Sequence, residues 1–332
     1  MCQADREGVG ERTKDKADSI IQVQKLYKNY GETRALNGVS FTVCKGEVFG
    51  YLGPNGAGKT TTVNILCNLI DADAGKVMIC GLDIDRKPIA VKRRIGVVPE
   101  ESNLYPELNC RRNLEYLAEL YGLSHAARRT RTDELLEIFD LVDKRSAPFR
   151  ALSRGMKRRL TVAAALLHSP EVVFLDEPTA GLDVPSARAL RRLIQKLNRD
   201  GATVFLTTHN LAEAESLCDR VLILVKGHVV AEGTAVEIRR KMEETRTLSV
   251  VLSGEVQERS LLTACPAVHS ASSGDGGWRL EVTDMHAAVG QIVSFADRQG
   301  VRVSEIGTAI TSLEDAFMKI LKDKGREGEK GS

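Results

Sequence analysis

Residues 53 to 60 read GPNGAGKT, which fits G-x-x-x-x-G-K-[ST]. The flanks constrain the fold as much as the octet does. EVFGYL before it reads as a strand, and KTTTVNILCNLI after it carries apolar residues at helical spacing. A glycine-rich loop between a strand and a helix lets backbone N–H groups converge on phosphate oxygens, and the helix N-terminus adds partial positive charge. The expected contacts are Gly53, Pro54, Asn55, Gly56, Ala57, Gly58, Lys59, Thr60 and Thr61. Lys59 is expected to reach the β- and γ-phosphates of a bound nucleotide, and the Thr60 hydroxyl to ligate Mg²⁺. The competing reading, a glycine-rich turn with a chance lysine, leaves strand, loop and helix in register by accident.

VVFLDEP, at 172–178, supplies a second half. Four apolar residues predict a buried strand with Asp176 at its carboxyl end, where ligands of such sheets collect. Asp176 is placed to hold Mg²⁺ and Glu177 to polarise an attacking water. Taken alone, Glu177 has a competing, less favoured reading as a surface carboxylate beside the turn at Pro178. His209 ends the strand TVFLTT beside that one, which aims it at the same edge.

Strands alternating with helices from Ile20 to about residue 240 predict an α/β domain with a largely parallel sheet. A helical lobe at about 105–168 interrupts the alternation. Beyond it TLSVVLS, QERSLLTAC, AVHSASS, GWRLEVT, DMHAAVGQIVSFADRQG and VRVSEI read β-α-β-β-α-β, a small ferredoxin-like α+β domain, closed by a helix over SLEDAFMKILKDKG. The expected divisions are a disordered tail at 1–18, the α/β domain at 19–242, the accessory domain at 243–324 and a tail at 325–332. The N-terminal segment has no apolar run and does not read as a signal peptide. With 332 residues, 42% hydrophobic and 28% charged, there is ample material for two cores. A net charge of +2 argues neither for nucleic acid nor for an acidic surface as partner. Seven cysteines without a CxxC pair suggest free thiols in a reducing compartment. No run approaches the roughly 18 apolar residues of a membrane span.

The order GPNGAGKTT, LSRGM, FLDEPTAGLD, LTTH resembles the ATP-binding cassette (ABC) ATPase family over roughly residues 20–240. The resemblance implies a P-loop nucleotide-binding fold with a RecA-like core, ATP as ligand with Mg²⁺, and ATP hydrolysis with Glu177, His209 and Lys59 as catalytic residues. It makes Tyr30 the aromatic that stacks on adenine and Asp183 a dimer-contacting residue. LSRGM is similar to the family's signature, usually LSGGQ, which closes over the ATP of a second copy. That assigns Ser153 and Gly155 to the partner's nucleotide, and Ser153 is also an N-cap residue type. Arg154 and Met156 depart from the usual motif in the way of an exporter subclass that includes the daunorubicin-resistance ATPases. The family's glutamine after the strand RIGVV corresponds to Glu100 here, beside Mg²⁺, with Glu101 as the candidate if the register slips by one. Arg159, after the signature, reads as a residue of a solvated helix face. The resemblance implies the ATPase subunit of a transporter, working as a dimer with itself or a paralogue on a separate transmembrane permease subunit. It would sit at the cytoplasmic face of the cell membrane, with no nucleic-acid partner. A soluble ABC ATPase acting on nucleic acid or ribosomes, and a nucleotide-dependent sensor, are the alternatives.

Overall fold

The computed structural model describes residues 19–242, 246–254, 256–274, 277–308 and 317. The expected tails lie outside the described residues, as does the expected closing helix at 312–325 apart from Phe317. The chain divides into two compact units, Met1–Glu232 and Gly233–Ser332.

The first unit begins with β1 (Ser19–Tyr30), β2 (Thr33–Cys44), β3 (Val48–Leu52), α1 (Lys59–Leu66), β4 (Ala74–Ile79), β5 (Leu82–Asp83), α2 (Pro88–Lys92) and β6 (Ile95–Val98). It continues with α3 (Cys110–Leu120), α4 (His125–Ile138), α5 (Arg154–Ala165), β7 (Val172–Asp176), α6 (Val184–Arg199), β8 (Thr203–Thr208), α7 (Leu211–Leu217), β9 (Arg220–Val225) and β10 (His228–Gly233). A six-stranded sheet has the order β10-β9-β3-β8-β7-β6, and β9 through β6 pair in parallel. Its central strands are mostly apolar because both faces are covered, with polar residues at their ends. Every residue of β3, β7 and β8 is buried. A second, antiparallel sheet, β2-β1-β4-β5, packs against one face. Phe41 of β2 meets Phe49, Tyr51 and Phe205 of the central strands at ring separations of 5.5–5.9 Å.

The opposite face is covered by α3, α4, α5 and α6. The helical lobe has no core of its own: Leu114, Leu135 and Leu160 belong to one buried cluster with Val173, Leu175 and Val204 of the sheet. The two strand residues of β5 and the five of α2 are too short to show a periodicity, and sequence patterning did not predict them.

The second unit holds α8 (Ala235–Met242), β11 (Arg246–Leu252), α9 (Glu258–Ala264), β12 (Val268–Gly274), β13 (Gly277–Val282), α10 (Met285–Gln299) and β14 (Val303–Thr308). Its sheet is antiparallel, in the order β12-β13-β11-β14, so the βαββαβ sequence pattern is realised. Asp284 caps α10 and Gly300 closes it at φ 67°. Its Ala288, Ile292 and Phe295 fill the core beneath Leu248, Val250 and Leu280.

Candidate active site

The site forms where three parallel strands end level with one another. Leu52 at the end of β3 pairs with Thr208 of β8, and Asp176 at the end of β7 pairs with Thr207. The phosphate loop follows β3 directly. Gly58, at the start of α1, has φ 107°, and a Cβ there would lie 2.6 Å from the Ala35 carbonyl oxygen. Both the conformation and the contact require glycine.

Lys59 is only 7% exposed, and its ammonium is held inside the protein. Nζ donates to the carbonyls of Gly53 at 2.8 Å and Pro54 at 3.4 Å, and lies 3.3 Å from Glu177 Oε1. The other oxygen of Glu177 is 3.0 Å from His209 Nδ1. Glu177 is itself buried, with its backbone in the left-handed region at φ 45°. Its N–H donates to the carbonyl and the hydroxyl of Thr207, at 3.2 and 3.1 Å. The Thr207 hydroxyl in turn donates to the buried Asp176 carboxylate.

A cavity of about 350 Å³ opens over these groups. Tyr30, Asn55, Gly56, Gly58, Lys59, Thr60, Thr61, Glu100, Glu177 and His209 line it. Gly53, Pro54 and Ala57 belong to the same loop, and Asp176 lies beside Glu177 at the strand end. Thr33, Arg34 and Ala35 also line the cavity. They carry no motif in the sequence and were not among the expected residues. Thr60, Asp176 and Glu100 offer hard oxygen donors of the kind Mg²⁺ takes. Among the described residues no group of three or more His, Cys, Asp or Glu could hold a metal ion alone. A metal here would therefore complete its shell with phosphate and water oxygens.

Ser153, Gly155 and Asp183 do not line that cavity. Ser153 caps α5, its hydroxyl accepting from the Met156 N–H at 3.3 Å. Asp183 caps α6, accepting from the Ser186 N–H at 2.9 Å. Hydrogen bonds from the hydroxyl and amide of Ser186 hold the Asp183 carboxyl below the usual range. The two caps adjoin: a Cβ on Gly155 would lie 2.5 Å from Ser186 Oγ, and the Arg154 guanidinium lies against Gly181.

Two further groups were not legible. Glu213 is 2% exposed and accepts from the hydroxyls of Thr179 at 2.7 Å and Thr208 at 2.9 Å. It joins the turn after Glu177 to the strand end before His209. In NLAEAESLC it reads as one of two surface acids. Arg159 corrects an expectation. It is not on a solvated face but donates to the carbonyls of Phe139 and Asp140, at 2.9 and 3.3 Å, and to the Asp140 carboxylate at 3.0 Å. The start of α5 lies against the end of α4, whose last carbonyls have no partner within their own helix.

The family model for ABC transporters matches residues 36–180. The chain is 38% identical to the daunorubicin resistance ATP-binding protein DrrA3 of Streptomyces coeruleorubidus, over 94% of this chain and 99% of that one. The chain belongs to the ABC transporter family. It is an ATP-binding subunit of that family and an ATPase. It is 42% identical to the Nod factor export ATP-binding protein I of Ralstonia nicotianae, over 66% of this chain and 68% of that one. Among solved structures it resembles an ATP-binding subunit of an ABC transporter with a TM-score of 0.62 and 35% identity, covering 67% of this chain and 93% of that one. It also resembles a dimeric post-hydrolysis state of the cassette MJ0796 bound to ADP and Pi, at 0.59 and 29%, covering 64% and 98%. Among the described residues no helix is long and apolar enough to cross a membrane.

Proposed function

We propose that this ATPase drives export through a separate membrane subunit from the cytoplasmic face, closing as a dimer on ATP and opening after hydrolysis. The names of relatives concerned with drug resistance and Nod factor export support the direction. The observation that carries the dimer is the separation just described. Ser153 and Gly155 present the capped end of α5 on a surface outside the cavity of their own phosphate loop. A second copy meeting that surface would complete each site from two chains.

Within one site, Lys59 binds the β- and γ-phosphates in place of Glu177, and Tyr30 offers a ring at the cavity edge for adenine. Mg²⁺, held by Thr60, Asp176 and Glu100, would neutralise phosphate charge. Glu177 Oε1, released from Lys59, accepts a proton from the attacking water. His209 Nδ1 keeps the other oxygen in place, donating when that nitrogen carries the proton. ATP binding shifts the population toward the closed dimer by its differential affinity for that state. The accessory domain at 243–324 and the ATPase domain at 19–242 are read as separate functional parts.

Mixing tests the shared site. Ser153→Arg subunits and Lys59→Ala subunits are each expected to be inactive, and their heterodimer retains one site free of both defects. Partial recovery of ATPase activity is expected on mixing. No recovery in a demonstrably assembled heterodimer counts against the shared-site reading. Co-purification with a membrane subunit, rather than nuclease-sensitive sedimentation with ribosomes or DNA, tests the partner.

A further inference from the structure

Arg158 lies one turn into α5 and is 8% exposed. Among the described residues its guanidinium meets no carboxylate directly, and it donates to four backbone carbonyls. Nε reaches Pro178 O at 2.9 Å and Nη2 reaches Asp176 O at 2.6 Å. Nη1 reaches Glu100 O at 3.1 Å, and also Pro99 O. Burial pulls the pKa of this guanidinium down, and the carboxylates of Asp176, Glu100 and Glu213 oppose that effect. Guanidinium stays protonated in proteins, so a permanent cation sits between two chain segments.

The pattern of acceptors is specific. Asp176 and Pro178 flank Glu177, and Arg158 holds the carbonyl on each side of it. Glu177 itself has φ 45°, a conformation a non-glycine residue keeps only when its surroundings over-determine it. Thr207 holds the Glu177 N–H, and Arg158 holds the neighbouring carbonyls. The remaining two acceptors belong to the loop that carries the Glu100 side chain into the cavity. A lysine could not serve all four, because only guanidinium presents five N–H groups in a rigid planar fork.

We propose that Arg158 is a positioning residue for hydrolysis: it fixes the strained turn that aims the Glu177 carboxylate and ties that turn to the Pro99–Glu100 loop and the signature helix. The inference rests on the reading of Glu177 as the base. Arg158 is not among the residues that line the cavity, so its removal acts on the chemical step and spares binding. Placing a reacting group about 1 Å wrongly costs on the order of 100-fold in rate.

The test uses the full chain carrying Arg158→Lys, alone and combined with Glu177→Gln. In the parent background kcat is expected to fall about 100-fold. KM and the Kd for a fluorescent ATP analogue are expected to stay within about threefold, because Lys59 and the phosphate loop are untouched. In the Glu177→Gln background the same change is expected to do nothing further to the residual rate, since residues acting through one group are non-additive. A merely structural role would lower that residual rate by the same factor, and that result overturns the proposal. So does an Arg158→Lys protein with parent-like kcat, or one whose kcat loss is matched by loss of nucleotide binding. If Glu177→Gln alone hydrolyses ATP at the parent rate, it is the assignment of the base that fails. Should Arg158→Lys not fold, hydrogen exchange on the parent with ADP and Mg²⁺ decides. Segments 98–102, 153–158 and 175–179 are expected to gain protection together, at a concentration where the protein is monomeric. Protection that leaves any of the three segments unchanged overturns the coupling.

Discussion

Replacing Glu177 by glutamine separates two roles of one carboxylate. Without nucleotide, Glu177 Oε1 lies 3.3 Å from Lys59 Nζ, with side chains 10% and 7% exposed. At an effective dielectric of about 20, opposite unit charges at that separation attract by roughly 332/(20 × 3.3), or about 5 kcal/mol. That figure is a gross attraction, and an incoming phosphate has to replace it. The Gly53 and Pro54 carbonyls still receive the ammonium in the variant, so only part of the 5 kcal/mol is lost. If between about a tenth and a third reappears as nucleotide affinity, ATP binds roughly 2- to 20-fold more tightly to Glu177→Gln. The ligand-free variant is less stable, because it leaves a buried ammonium without its counter-charge; breaking such a pair costs up to about 3–5 kcal/mol. The variant is therefore expected to show a lower melting temperature without nucleotide, a larger upward shift on adding ATP, and a tighter Kd by fluorescence titration. Hydrolysis is expected to fall about 10²–10⁴-fold, as for loss of a general base. Parent-like melting and affinity in a variant that no longer hydrolyses would mean that ATP does not displace this ion pair. Hydrolysis at the parent rate would remove Glu177 from the chemistry altogether.

Glu100→Gln is expected to bind metal-free ATP more tightly than the parent and to gain less on addition of Mg²⁺, with Glu101→Gln unchanged in both; the effect appearing at Glu101 instead would place the register one residue later. Phe205→Ala is expected to lower stability by about 3–5 kcal/mol in denaturant unfolding, since the ring is fully buried among Phe41, Phe49, Tyr51 and Phe174, and a loss under about 1 kcal/mol would contradict that packing. Burial lowers the pKa of His168, whose ring stacks on Tyr121 at 3.8 Å and whose Nδ1 has no partner to receive a proton's hydrogen bond. Its contribution is therefore present above the unfolded-state pKa of about 6.5 and lost as pH falls toward the lower folded-state value. His168→Phe is expected to flatten the decline of melting temperature below pH 6.5. An equally steep decline would show that other groups cause it.

What could be read from the chain was whatever lies contiguously in it. The phosphate loop is one octet between a strand and a helix, so its position followed from the flanks. Asp176 and Glu177 were placed by the apolar run that ends at them, and the register of β7 with β8 brings His209 to the same edge. Arg158 was not legible as a bridging residue, because its four acceptors come from two segments that lie 18 to 59 residues away. Nothing in RGMKRRL says which of its cations turns inward. Glu213 escaped for a similar reason: its two hydroxyl donors lie in separate segments, the turn at Thr179 and the end of β8 at Thr208, and an acid in a short helix ordinarily faces water. The helical lobe looked independent because helical periodicity reports that a face is buried, not what covers it.

The contact between Arg154 and Gly181 bears on which sequences can descend from this one. A guanidinium in the third position of the signature occupies the space a side chain at residue 181 would need, and Gly181 has φ 64° as well. Gly155 and Ser186 stand in the same relation one step further along. Two stretches some thirty residues apart in the chain therefore constrain each other's mutational histories. Arg154 is exposed and its guanidinium can swing aside, so the stricter condition at residue 181 is its backbone, which at φ 64° favours glycine whatever faces it.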